Sequence, residues 1–143
     1  MKMNSTLPAI LLVAMLSASG LAVARSSAML ELGRQSVATS GGKPLTADAV
    51  RQAILAGGTI HGWKQVGDQP GVLSLEADSG PHQVVVDVSY DATGWQITYK
   101  SSLDMNYEHT DKKTSIHPKY NKWIEDLNAD IRRAAANAQA QPN

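Results

Sequence analysis

The sequence predicts an α+β domain: a four-stranded antiparallel meander with an N-terminal and a C-terminal helix packed on one face. Three observations predict it. Two stretches, 45–58 and 118–131, repeat apolar residues at intervals of three and four, the period of a helix. The 59–101 region between them alternates apolar and polar residues, the period of a half-buried strand. Short runs rich in Gly, Pro and Asp divide that region, and only hairpins fit connections so brief.

The elements follow in order. Residues 1–24 carry Lys2, an apolar run from Leu7 to Leu16 and the small-residue ending Ala22-Val23-Ala24, the anatomy of a cleavable signal peptide. Residues 25–44 are weakly patterned and end near Gly41-Gly42, which reads as a flexible approach with one helical turn at Ala28, Met29 and Leu30. A first helix then opens with Thr46 as its cap, Leu45 as a staple and Asp48 on the positive end of the dipole. Gly57-Gly58 is the expected stop.

Strands are expected at 59–66, 72–77, 82–90 and 94–101. A four-residue turn at Asp91-Ala92-Thr93-Gly94 sets Tyr90 opposite Trp95, Val88 opposite Ile97 and Val86 opposite Tyr99. Alternation then gathers Trp63, Leu73, Leu75, Val84, Val86, Val88, Tyr90, Trp95, Ile97 and Tyr99 on the core face. A second helix begins at Pro118, and its stripe of Tyr120, Trp123, Ile124, Leu127 and Ile131 must pack on that face. One domain, 45–133, is thus expected, with a disordered tail at 134–143.

Composition excludes several functions. Without the signal peptide, 12 basic residues face 13 acidic ones, and no basic stripe offers a nucleic-acid footprint. The absence of cysteine removes disulfides, thiol nucleophiles and lipid attachment, leaving packing to supply stability. The expected location is the periplasm or the medium, with no membrane anchor after signal cleavage.

Chemistry has few places to sit. Residues 102–117 form the longest predicted loop, and Glu108, His109, Asp111 and His117 are metal-ligand types there. Their spacing matches no metal motif, and His117 reads equally as a cap beside Pro118. No nucleophile elbow and no phosphate loop is present. No catalytic residue, metal or cofactor is therefore assigned.

Residues 97–107 (ITYKSSLDMNY) and 115–124 (SIHPKYNKWI), followed by Leu127, resemble a family of small exported proteobacterial proteins, many of them lipoproteins. A tyrosine strand, a serine-leucine-tyrosine loop and an I-H-x-x-Y-N-x-W helix start carry the resemblance, joined upstream by Ile54, Gly62-Trp63 and the strand at 84–90. It covers about residues 46–131. The sequence departs from the lipoprotein pattern, having Arg25 where the lipidated cysteine would stand. The resemblance implies no reaction, but it implies that Tyr99, Ser102, Tyr107, His117, Tyr120, Asn121 and Trp123 converge where the sheet edge meets the last helix. Such a junction either fixes the loop by hydrogen bonds or lines a shallow ligand pocket.

The expected function is a non-enzymatic binding or interaction module of the cell envelope, monomeric, with an envelope protein or small ligand as partner. A metal-dependent or carboxylate-based hydrolase and a host-exposed secreted antigen are the alternatives.

Overall fold

A computed structural model describes residues 25–39 and 42–141, so the signal-peptide reading of 1–24 and the end of the expected tail lie outside the described residues. In chain order the elements are β1 (Ser27–Ala28), β2 (Arg34–Ser36), α1 (Ala47–Ile60), β3 (Lys64–Gln69), β4 (Val72–Ser79), β5 (His82–Asp91), β6 (Gly94–Leu103), β7 (Glu108–His109), β8 (Thr114–Ile116) and α2 (Pro118–Ala140). The chain is α+β, with two helices and two antiparallel sheets.

Helix α1 starts as its cap dictates: the Thr46 hydroxyl accepts the Ala49 amide at 3.0 Å. It does not stop at Gly57-Gly58, which corrects the expected terminus. Both glycines are buried inside the helix, Gly57 against α2 and Gly58 against Trp63 and Leu75. A Cβ at Gly57 would stand 2.6 Å from the Ile131 amide nitrogen and 2.8 Å from its Cα, so the two helix backbones meet there with no side chain between. The helix runs on to Ile60, and the strand expected at 59–66 is displaced to Lys64–Gln69.

Helix α2 has Pro118 in its first turn and buries Tyr120, Ile124, Leu127, Ile131 and Ala135. It also corrects the tail. Residues 134–140 continue the helix, since Ala135 is buried and small residues allow the apolar stripe to persist. From α2, Asn128 accepts the Trp95 indole N–H at 3.0 Å. Both side chains are buried, and loss of that acceptor would cost about 1–3 kcal/mol for the stranded donor.

The larger sheet has the order β2-β6-β5-β4-β3. It has five strands where four were expected, β2 being the addition; β3 to β6 are antiparallel neighbours, and the register pairs Tyr90 with Trp95, Val88 with Ile97 and Val86 with Tyr99. Two-residue turns at Pro70-Gly71, Gly80-Pro81 and Ala92-Thr93 join the strands. At the third turn the Thr93 hydroxyl and amide, with Arg34, hold the Asp91 carboxyl down at about 2. The buried side chains Leu73, Leu75, Val84, Val86, Val88, Trp95 and Ile97 belong to the face that alternation selects.

The segment 25–44 is not merely a flexible approach: it contributes a strand to each sheet, and Ala28-Met29-Leu30 makes no helical turn. Strand β2 lies on β6, pairing Gln35 with Trp95, and this contact requires Gly94, where a Cβ would sit 2.0 Å from the Gln35 carbonyl oxygen. Strand β1 pairs with β8, and β8 with β7, in the smaller sheet. The predicted loop 102–117 thus holds the end of β6 and two short strands, β7 and β8. Asp104 and Asn106 turn the chain out of β6 with left-handed φ of 51° and 49°, a conformation that Asp and Asn tolerate best among side-chain-bearing residues.

Candidate functional site

The bulge in β6 builds the first part of the site. Tyr99 pairs with Val86 and Ser101 with Val85, leaving Lys100 as the extra residue. That one-residue shift turns Ser102 onto the face of Tyr99, and their hydroxyls meet at 2.9 Å. Tyr107, from the bend before β7, stacks on the Tyr99 ring at 4.3 Å with the planes 14° apart. Tyr120, from the first turn of α2, meets the same ring edge-on at 5.9 Å. Strand β6, the segment before β7 and the first turn of α2 therefore bring three tyrosines together.

They line a groove of about 470 Å³ between the two sheets. Its opposite wall is the connection from β1 to β2, with Met29, Leu30, Glu31 and Gly33. Burial pushes the Tyr120 hydroxyl far above the ordinary tyrosine range, and the nearby Tyr99, Glu31 and Tyr107 act in the same direction. Tyr107 is exposed.

The other expected site residues are dispersed around the first turns of α2. A helix rotates about 100° per residue, so Asn121 and Trp123 flank Tyr120 on opposite sides. Asn121 holds the N-terminal segment: its Oδ1 accepts the Leu30 amide at 2.8 Å, and its Nδ2 donates to the Ala28 carbonyl at 2.9 Å and to the Ser27 hydroxyl at 3.2 Å. Trp123 lines a separate pocket of about 250 Å³ with His61, Trp63 and Ala77. There His61 joins the end of α1 to the buried Asp130 carboxylate of α2 at 2.7 Å, and Arg133 holds the other carboxylate oxygen.

His117 caps α2. Its Nδ1 accepts the Lys119 amide at 3.1 Å, and its ring lies 4.9 Å from that of His82. Burial, then the neighbouring His82, Lys119 and Arg25, lower its pKa below the ordinary histidine value. His109 is exposed and bonds to the Thr114 hydroxyl at 2.7 Å. Among the described residues no three His, Cys, Asp or Glu side chains gather where one ion could be held.

Sequence reading missed Met29, Leu30, Glu31 and Gly33, the far wall of the groove. The apolar cluster Met29, Leu30 and Leu32 was the available signal, since a solvated linker has no use for it. Compared with protein-family models, curated proteins and solved structures, the chain finds no match in any of the three.

Proposed function

We propose that this chain is an exported, non-enzymatic binding module of the cell envelope that takes its ligand in the tyrosine-lined groove. The observation that carries this reading is the convergence of Tyr99, Tyr107 and Tyr120 on one groove. Tyrosine offers an apolar ring and a polar edge, which suits a ligand-facing wall. The volume, about 470 Å³, falls in the range of roughly 300–1,000 Å³ typical of small-molecule sites. The same reading has both helices covering the one apolar face of the larger sheet, supported by Gly58 against Trp63 and Leu75 and by the Trp95–Asn128 bond.

Export rests on the first 24 residues, whose charged start, apolar run and A-x-A ending suit cleavage after Ala24. No helix among the described residues is long and apolar enough to cross a membrane. Membership of the small exported proteobacterial family rests on the sequence resemblance over about residues 46–131.

Two measurements test the reading. N-terminal sequencing of protein recovered from a bacterial envelope fraction is expected to begin at Arg25, whereas an intact Met1 start in that fraction removes the export claim. A two-dimensional NMR titration with envelope small molecules and peptidoglycan fragments is expected to move signals of Tyr99, Tyr107 and Tyr120 together. Ligands that shift only the pocket around Trp63 and Trp123 would transfer the binding role there.

A further inference from the structure

We propose that the groove takes an extended peptide carrying a lysine or arginine, which adds as a strand to the open edge of β6. This rests on the reading of the tyrosine groove as the binding site and names its ligand class.

Strand β2 covers β6 only at Gly94, Trp95 and Gln96. Beyond Gln96, β6 continues to Leu103, and no backbone partner occupies that edge among the described residues. The parity of the edge follows from the pairing. The Val37 amide donates to the Thr93 carbonyl at 2.8 Å, and Gln35 stands opposite Trp95, so the backbone groups of 93 and 95 point toward β2. Two and four residues on, the amides and carbonyls of Ile97 and Tyr99 point the same way, into the groove. Buried or half-buried backbone groups are strongly driven to pair, and an added strand supplies the partners.

The gap is open because the chain leaves the sheet. Before Arg34 it swings away at Gly33, whose φ of +66° permits the turn, and Leu30 is then held on Asn121. The segment becomes the far wall of the groove instead of a longer β2. The opposite edge of the sheet differs. Strand β3 is bulged between Gln65 and Gly67 and carries Lys64 and Asp68 in ion pairs with Asp78 and Arg51, features that discourage strand pairing.

Charge selects the occupant. Glu31 is the only carboxylate on the groove wall, is exposed, and has neither a hydrogen-bond nor an ion-pair partner among the described residues. Tyrosine faces attract cations as well, so a lysine or arginine finds two complementary groups in one place.

The test uses the protein recovered after export and three probes: a capped pentapeptide alternating valine and lysine, its glutamate counterpart, and two N-methylated lysine peptides, one for each set of alternate amides. The lysine peptide is expected to shift the amides of Ile97 and Tyr99 and to slow their hydrogen exchange by about tenfold or more. One N-methylated form should lose binding and the other keep it. Glu31→Gln should weaken the lysine peptide by about tenfold and leave the glutamate peptide no weaker, so that the preference for lysine narrows, whereas an equal loss for both peptides would overturn the role of Glu31 in selecting a cation. Shifts of Tyr99 and Tyr107 ring signals without protection of the two amides would overturn strand addition and leave the groove as the binding site. Binding at the Trp63–Trp123 pocket would overturn both readings. Concentration-dependent dimers that protect the same amides without peptide would make a second copy the occupant and overturn the proposal.

Discussion

The Nδ1 atom of His117 accepts the Lys119 amide at 3.1 Å, so it must keep a lone pair there, and a protonated imidazole has none to give. The lowered pKa of His117 fits that demand, burial being its main cause and the neighbouring His82, Lys119 and Arg25 the lesser ones. The sign is fixed by linkage. A histidine whose folded pKa lies below its unfolded value of about 6.5 stabilises the protein fully above that value, and the contribution is lost as pH falls through the folded value. His117→Ala is expected to cost about 1 kcal/mol at pH 7.5, the usual worth of a cap. The gap between wild type and this variant should shrink toward pH 5, while His117→Asn, which keeps a cap acceptor that does not titrate, should retain the neutral-pH stability. Urea denaturation at several pH values checks this, and a gap independent of pH would show that the imidazole stays neutral throughout or does not hold the helix.

Between the helices, Gly57 brings α1 and α2 within backbone contact at Ile131. Gly57→Ala gains up to about 1 kcal/mol of helix propensity, but overpacking against an immovable backbone costs typically 1–3 kcal/mol or more. The atoms met are main-chain atoms of a 23-residue helix, so the second effect wins and a net loss of about 2 kcal/mol is expected in urea denaturation. A variant as stable as wild type would mean that the helices separate without cost. The same glycine shows where sequence legibility ends. The meander and its register were legible because side-chain alternation and two-residue turns are local signals, as the Tyr90–Trp95 pairing illustrates. Gly57 looked like a helix stop because its purpose lies 74 positions away, in α2. Strands β1 and β2, of two and three residues, find their partners on β8 and β6 and leave no periodic trace. At the site, the convergence of Tyr99, Tyr107 and Tyr120 was legible from the motif, whereas the division of Asn121 and Trp123 to opposite flanks of α2 depends on which flank faces β1.

Across the whole molecule, residues 25–36 tie three parts together: β1 to the smaller sheet, β2 to the larger one, and Ser27, Ala28, Leu30 and Gln35 to side chains of α2. Gln35 also accepts from Arg132, and Arg34 bonds Asp91 and Thr93 across the β5–β6 turn. Deleting this segment removes those bonds, each worth about 1 kcal/mol net, and releases backbone that costs about 1–2 kcal/mol per residue to order. The two effects nearly offset each other, so the main helices and the meander are expected to stay folded. What changes is the edge. Without β2, β6 presents unpaired backbone along its whole length from Gly94 to Leu103, with Trp95 beneath it, and a long bare edge beside apolar side chains pairs with a second copy. The shortened chain is therefore expected to retain cooperative unfolding with a small shift in midpoint, yet to sediment as a dimer or larger at concentrations where the longer chain does not. A shortened chain that stays monomeric would show that the bulge at Lys100 already twists β6 out of reach, and that the N-terminal segment serves only to wall the groove.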